Sequence, residues 1–424
     1  MSVEVKRKEA QRRMANRFRW RGDRLLVTAL VAALLVVLLG ARTSSAAEAP
    51  TVSMLTMGPG DPTFSKFGHD ALVVSSASSA GGRATVYNFG TFAFQSEKLF
   101  QDFLKGRLRY WLSLATLGGT TRSYERQNRS LLLQELELEP SAAAAMASAL
   151  DENARPENRF YLYDHFRDNC ATRVRDAIDR ATGGSVRRAL DRPATSTYRD
   201  HALRLVADDW PLYIGLDVGL GPAVDRPITE WDEGFLPERL AIGLRKVRIR
   251  SEHGEVPLVR RELVVFEADR PAARERPPVR APWFLAVGVL LGGSLAALFR
   301  RPSRAARIAA GALLAALGTL SGLLGALLVF LWAATNNDVA HRNANAFLSP
   351  VVALALVPAG ILFAMGRSSG KRLVERSLFA CAVLAGMGVV LALVVGHDVF
   401  RTASLFVPLW ACAWAGLRFA VNRA

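Results

Sequence analysis

The chain of 424 residues is 50% hydrophobic with a formal net charge of +16, and its mean hydropathy is +0.16. That balance is too apolar for one ordinary soluble domain and calls for a membrane-embedded part. The positive charge does not argue for a nucleic-acid partner, because many basic residues sit in the N-terminal segment and in short loops between apolar runs, where membrane topology accounts for them.

In chain order, residues 1–47 come first: a basic run ending at Arg24, the apolar stretch LLVTALVAALLVVLLGA and the start of the small-residue run SSAAEAP. This is the pattern of a signal peptide cleaved near Ala47, or of a retained signal anchor, and it directs the next part of the chain to the outer side of the membrane. Residues 48–267 have the mixture expected of an α+β globular domain. The runs TVSMLTMG (51–58), ALVVSS (71–76) and ATVYNFG (84–90) are β-branched or alternating between Gly, Pro and Ser, and are predicted strands. EPSAAAAMASALDENA (139–154) is a predicted helix with Pro140 and Ser141 at its start. Another helix begins near Cys170: Val174, Ala177, Ile178 and Ala181 share one face, and Gly183 with Gly184 stops it.

Residues 268–282 form a linker rich in Pro and Arg. The segment 283–424 then holds five apolar stretches, at 283–299, 308–334, 346–366, 377–396 and 402–420, each near the length that crosses a bilayer as a helix. The loops RRPSRAAR and RSSGKRLVER carry four basic residues apiece, whereas TNNDVAHRNAN and GHDVFR carry one each. By the positive-inside rule this agrees with an exported globular domain. The arginines of the linker oppose that assignment mildly.

Cys170, in DHFRDNCATRVRD, is the only one of the three cysteines outside the strongly apolar segments, so no structural disulfide is expected. Asp168 or Asn169 can cap the helix and place the thiol in its first turn, where free N–H groups and the helix dipole favour a thiolate. Arg167, Arg173 and Arg175 stand near it in sequence. A buried, inert cysteine under the helix is the competing reading. A nucleophilic thiol needs a base, and His69, in FSKFGHDALVV, stands at the start of a strand. Asn88, in VYNFGT on the next strand, can orient an imidazole or can simply be a residue of a strand-end turn. His165, among the aromatic residues of YLYDHF, reads as local packing. The six histidines are scattered, with no HExxH and no paired CxxC, so neither a metal nor another cofactor is expected.

The blocks FGHDALVV, VYNFGTFAF, FLKGRLRYWLS, ENARPENRFYLYDHFRDNCATRVRD and DRPITEWDEGFLPERL, in this order and spacing, closely resemble the periplasmic domain of the Lnb family, the lipoprotein N-acyltransferases. NNDVAHRNANAFLSP (336–350) is similar to an outward loop of that family's membrane part. The resemblance implies an α+β, circularly permuted papain-like (NlpC-type) periplasmic domain followed by an all-α five-helix transmembrane bundle in the bacterial inner membrane. It implies Cys170 as nucleophile and His69 as base. A membrane phospholipid would be the acyl donor, and the acceptor would be a diacylated lipoprotein, taking the chain through a thioester.

Asn169, Arg173, Asp338, His341, Asn343 and Asn345 are candidate substrate-binding residues, with His397 and Asp398 as further candidates at the mouth of the bundle; for the loop residues a plain solvated loop competes. Trp210, Tyr213, Trp231 and Phe235 fit core packing better than contact with lipid. Three other functions remain open on the residues: a papain-like amidase or peptidase, a phospholipase or thioesterase, and a membrane-tethered binding module without catalysis.

Overall fold

The structure is a computed structural model that describes residues 49–75, 84–92, 108–251 and 254–421, together with residues 7, 8 and 10. Residues 11–47 of the export segment, 93–94 of the VYNFGTFAF block and 103–107 of the FLKGRLRYWLS block therefore lie outside the described residues. The strands are β1 (Thr51–Met57), β2 (His69–Ser75), β3 (Thr85–Thr91), β4 (Arg109–Thr116), β5 (Leu131–Leu136), β6 (Phe160–Leu162), β7 (Arg248–Ser251), β8 (Gly254–Pro257) and β9 (Val259–Phe266). Seven of them form one sheet in the order β6-β4-β3-β2-β1-β5-β9, and β7 with β8 makes a separate hairpin. Every pairing is antiparallel.

The central strands are apolar on both faces, and the fold uses both. Val52, Met54, Leu72 and Val74 belong to the core cluster that also holds Val174 and Ile178, whereas Leu55, Met57, Ala71 and Val73 build a smaller core on the other face. In this period-2 geometry a polar residue on a central strand has nowhere to go but inward. The β1–β2 register sets Thr56 opposite Asp70 and Met57 opposite His69, so the site begins at the end of a buried strand.

The helices α1 (Leu117–Arg126), α2 (Pro140–Ala154) and α3 (Cys170–Ala181) interleave with these strands. Helix α3 is held at its N-terminus by a capping box: the Asn169 side chain accepts from Thr172 N–H, and the Thr172 hydroxyl accepts from Asn169 N–H. Its stop is marked by Gly183 and Gly184 at φ of +60° and +80°. Smaller helices follow: α4 (Ser185–Leu190), α5 (Tyr198–Leu205), α6 (Trp210–Gly219), α7 (Glu230–Glu233) and α8 (Pro237–Leu244). Tyr213 of α6, Trp231 of α7 and Phe235, in the turn between α7 and α8, are buried, whereas Trp210 is 48% exposed.

Among the described residues, five helical segments are long and apolar enough to cross a membrane: α9 (Ala281–Arg300), α10 (Arg304–Ala334), the pair α11 (Asn345–Leu348) and α12 (Leu356–Ala364), α13 (Ser368–Val395) and α14 (Phe400–Val421). The third is not continuous. Pro350 lacks the N–H an α-helix needs, and a 3-10 segment, Val351–Ala355, bridges the break. The basic stretch 367–376 was expected as a loop, but helix α13 begins at Ser368. Lys and Arg are good helix formers, so the helix runs on through its charged flank.

Residues 50–424 form one compact unit, and the globular and helical parts meet at the C-terminus of α6. Its last carbonyls lack intrahelical partners. Asn343 Nδ2 donates to Val218 O (2.8 Å) and Gly219 O (3.0 Å), Asn345 Nδ2 to Val218 O (3.0 Å), and His397 Nε2 bonds Leu220 O (3.1 Å). Beside them Asp217 takes Arg401 Nε (3.0 Å), and Arg199 reaches Asp225 (2.5 Å). Gly221 N–H donates to Val339 O at 2.6 Å, and a Cβ there would stand 2.4 Å from the His341 carbonyl oxygen. The linker is likewise fastened. Arg270 makes paired bonds to Asp61 (2.7 Å each), and the Arg280 guanidinium covers the rings of Trp210 (3.6 Å) and Tyr213 (4.0 Å). Those arginines serve the globular domain, which is why their charge runs against the loop count.

Candidate active site

Cys170 is the first residue of α3, and His69 is the first residue of β2. They meet at Gly90, in the irregular end of β3 where the pairing with β4 shifts register between Asn88 and Thr91. Gly90 has φ of +94°, a conformation that side chains rarely adopt. A Cβ placed on it would lie 3.5 Å from Cys170 Cβ, 3.7 Å from His69 Cε1 and 3.8 Å from the Tyr161 hydroxyl oxygen. The missing side chain thus leaves a methyl-sized space bordered by a thiol-bearing carbon, an imidazole and a phenol. Asn88 hydrogen-bonds the His69 ring and favours its protonated form, which is the geometry of an orienting amide. The sequence candidates Cys170, His69 and Asn88 are therefore brought together.

The electrostatics differ from the expectation of a lowered thiol pKa. Burial pushes the Cys170 thiol up to about 12, although the backbone N–H groups of Asp70, Ala171 and Cys170 itself bond towards the sulfur and oppose the rise. Desolvation outweighs the helix start here. Burial, with the nearby Arg129 charge, lowers His69 to about 4 in spite of Asn88. At neutral pH the resting pair is consequently a thiol and a neutral imidazole. The arginines close in sequence do not change this, because each is engaged elsewhere. Arg173 makes a bidentate pair with Asp168 (2.6 and 2.8 Å) and lies 3.7 Å from the Tyr161 ring centroid. Arg175 bonds Asp176 and the Trp231 carbonyl, and Arg167 donates to Asp338 (2.6 Å).

Several candidates for substrate contact have other duties. Asn169 is 4% exposed, and its amide nitrogen donates to the carbonyls of His165 and Phe235. Asn343 and Asn345 are wholly buried in the junction with α6, His397 bonds Leu220 O there, and His341 Nε2 bonds Thr335 O at 2.9 Å. Asp398 is tied to Arg401. Asn343, Asn345 and His397 satisfy backbone carbonyls at the join between the two halves. The solvated-loop alternative does not hold for Asn343, Asn345 and His397, which are buried; in sequence a polar loop that faces another domain looks the same as one that faces solvent. His165 is packed edge-on against Phe67, with ring centroids 4.5 Å apart.

Two residues near the thiol carry no mark in the sequence reading. Asp70 is wholly buried beside Cys170; Thr56 Oγ1 donates to its Oδ1 (2.8 Å), and its Oδ2 has no hydrogen-bond partner among the described residues. Burial raises its carboxyl to about 7. An acidic residue inside FGHDALVV, otherwise a buried strand, was the available signal. Tyr161 is the middle residue of a three-residue strand, too short to register as a pattern. Among the described residues no group of three His, Cys, Asp or Glu is placed to hold a metal ion.

A partly buried thiol and an oriented imidazole that border one space, on a domain that is joined to apolar helices, have the chemistry to take up and release an acyl group. No curated protein and no solved structure matches the chain. Residues 41–203 match the family model of the Lnb N-terminal periplasmic domain, a stretch that contains His69, Asn88, Tyr161 and Cys170.

Proposed function

We propose that the protein is a lipoprotein N-acyltransferase of the bacterial inner membrane, with its catalytic domain on the periplasmic side. The observation that carries this reading is the meeting of Cys170 and His69 at Gly90, with Asn88 on the imidazole, in a domain of the Lnb type. A histidine on a strand ahead of a cysteine at a helix start also fits a circularly permuted papain-like arrangement.

In the first half-reaction Cys170 Sγ attacks an ester carbonyl of a phospholipid while His69 accepts the thiol proton. The tetrahedral adduct collapses by breaking the bond to the glycerol oxygen, which takes the proton back from His69 and leaves as a lysophospholipid. Cys170 then holds the acyl chain as a thioester. In the second half-reaction the neutral α-amine of a diacylated lipoprotein's N-terminal cysteine attacks that thioester. The amine proton passes to His69 and on to the departing sulfur, so the thiol and imidazole are restored and an amide is formed. A thioester is reactive towards amines, so no nucleotide is consumed. Both substrates are anchored in lipid, and a bundle that confines the domain to the same plane raises their effective concentration.

The test is expression in cells that lack their own lipoprotein N-acyltransferase, with lipoprotein N-termini read by mass spectrometry. Wild type is expected to add a third acyl chain, and Cys170→Ser and His69→Ala to add none. Free N-termini with wild type would defeat the proposal. Release of free fatty acid alone would indicate a phospholipase, cleavage of peptide or cell-wall amides an amidase, and no turnover of any kind a binding module.

A further inference from the structure

Tyr161 is 9% exposed, in the main core cluster of the globular domain, and is paired across β4–β6 with Tyr110. Its hydroxyl is buried yet has no hydrogen-bond partner among the described residues. Leaving a polar group in that state costs about 1–3 kcal/mol, and a phenylalanine of the same shape would avoid the cost. The hydroxyl oxygen is also among the three atoms nearest the space at Gly90, 3.8 Å from the point that lies 3.5 Å from Cys170 Cβ. The carbonyl of an acyl group bonded to Cys170 Sγ would extend into that space. Asn169, the nearest amide in sequence, is committed to two backbone carbonyls and is not free to help.

Resting on the acyl-transfer reading above, we propose that the Tyr161 hydroxyl donates a hydrogen bond to the acyl oxygen as it becomes negative during attack by Cys170. In that step the carbon–sulfur bond forms, the carbonyl π pair moves onto oxygen, and His69 takes the thiol proton. Tyr161 gives up no proton: it stabilises the oxyanion alongside the backbone N–H of Cys170, and the pair returns to the carbonyl when the leaving oxygen departs. Burial and the neighbouring Cys170 raise the phenol far above its ordinary range, so it remains a donor throughout, while the Arg173 charge above its ring pulls in the opposite direction and polarises the O–H. A donor with no partner among the described residues needs no bond to one of them broken before it acts.

Tyr161→Phe separates this role from a structural one. The full chain, in detergent, is given p-nitrophenyl hexanoate, whose attack passes through an oxyanion, and separately iodoacetamide, whose displacement does not; labelling is read on the Cys170 peptide by mass spectrometry. Loss of one oxyanion donor is expected to slow acylation by about 10²–10³-fold and to leave alkylation within about threefold of wild type, a difference of about 0.7 kcal/mol. Equal acylation rates in the two proteins would overturn the assignment, with the hydroxyl then merely meeting a water. An equal fall in both reactions would also overturn it, by showing that Tyr161 acts on the thiol. If wild type itself forms no acyl adduct while iodoacetamide labels Cys170, the acyltransferase reading fails first, and the role of Tyr161 falls with it.

Discussion

Asp70→Asn tests whether desolvation governs this site. The carboxyl is fully buried and is raised from 3.8 to about 7, so between those values the folded protein retains a proton that the unfolded chain has lost. Wild-type stability therefore falls as pH rises through that window and is level above it. From pH 5 to pH 8 only the part up to about 7 counts, two units at about 1.4 kcal/mol each, or about 3 kcal/mol. Asparagine accepts the same bond from Thr56 and has no charge to desolvate. His69 and His165, both lowered to about 4 by burial, act in the opposite sense: they remain neutral when folded, and stability is lost as pH falls from 6.5 towards 4. They are present in both proteins and cancel in the comparison. Denaturant unfolding of the globular domain, followed by tryptophan fluorescence at pH 5 and pH 8, should show the gap between variant and wild type widening by about 3 kcal/mol in favour of the variant. A gap that is constant to within about 0.5 kcal/mol would refute the reasoning, because the extrapolation resolves less than the expected change.

The thiol offers a second check. With Cys170 pushed up to about 12, its alkylation by iodoacetamide should climb roughly tenfold per pH unit from 7 to 10 without a plateau; a plateau between pH 6 and 8 would mean that the helix start outweighs burial. At the junction, Gly221→Ala sets a methyl against the His341 backbone carbonyl at 2.4 Å, which backbone cannot yield cheaply. It should lower stability by about 1–3 kcal/mol and open the 205–225 region to protease, and an unchanged digestion pattern would show that the two halves do not depend on this contact.

A raised thiol pKa also fits a domain of the periplasmic type that carries one unpaired cysteine. Thiol–disulfide exchange and oxidation proceed through the thiolate, and with its thiol pushed up to about 12 the partly buried Cys170 holds almost none at neutral pH. In the proposed mechanism, reactivity is then confined to the moment when a substrate carbonyl lies against the sulfur and His69 can receive the proton.

The amino-acid sequence by itself determined the pieces whose chemistry is local. Apolar length alone marks the membrane helices, the Asn169–Thr172 spacing caps α3 and puts Cys170 on its first turn, and Gly183 and Gly184 end it, because each of these depends on neighbours a few residues away. His69 at the head of a strand was legible for the same reason. Only the tertiary structure decided what surrounds them. The β1–β2 register carries Asp70 under the thiol, the bulge at Gly90 opens the space that Cys170, His69 and Tyr161 share, and docking of the bundle turns Asn343, Asn345 and His397 from apparent loop residues into partners for the carbonyls at the end of α6. Desolvation depends on every atom packed around a group, wherever in the chain it comes from. For that reason a helix start that predicts an acidic thiol is, in this fold, overruled by the core into which it is pressed.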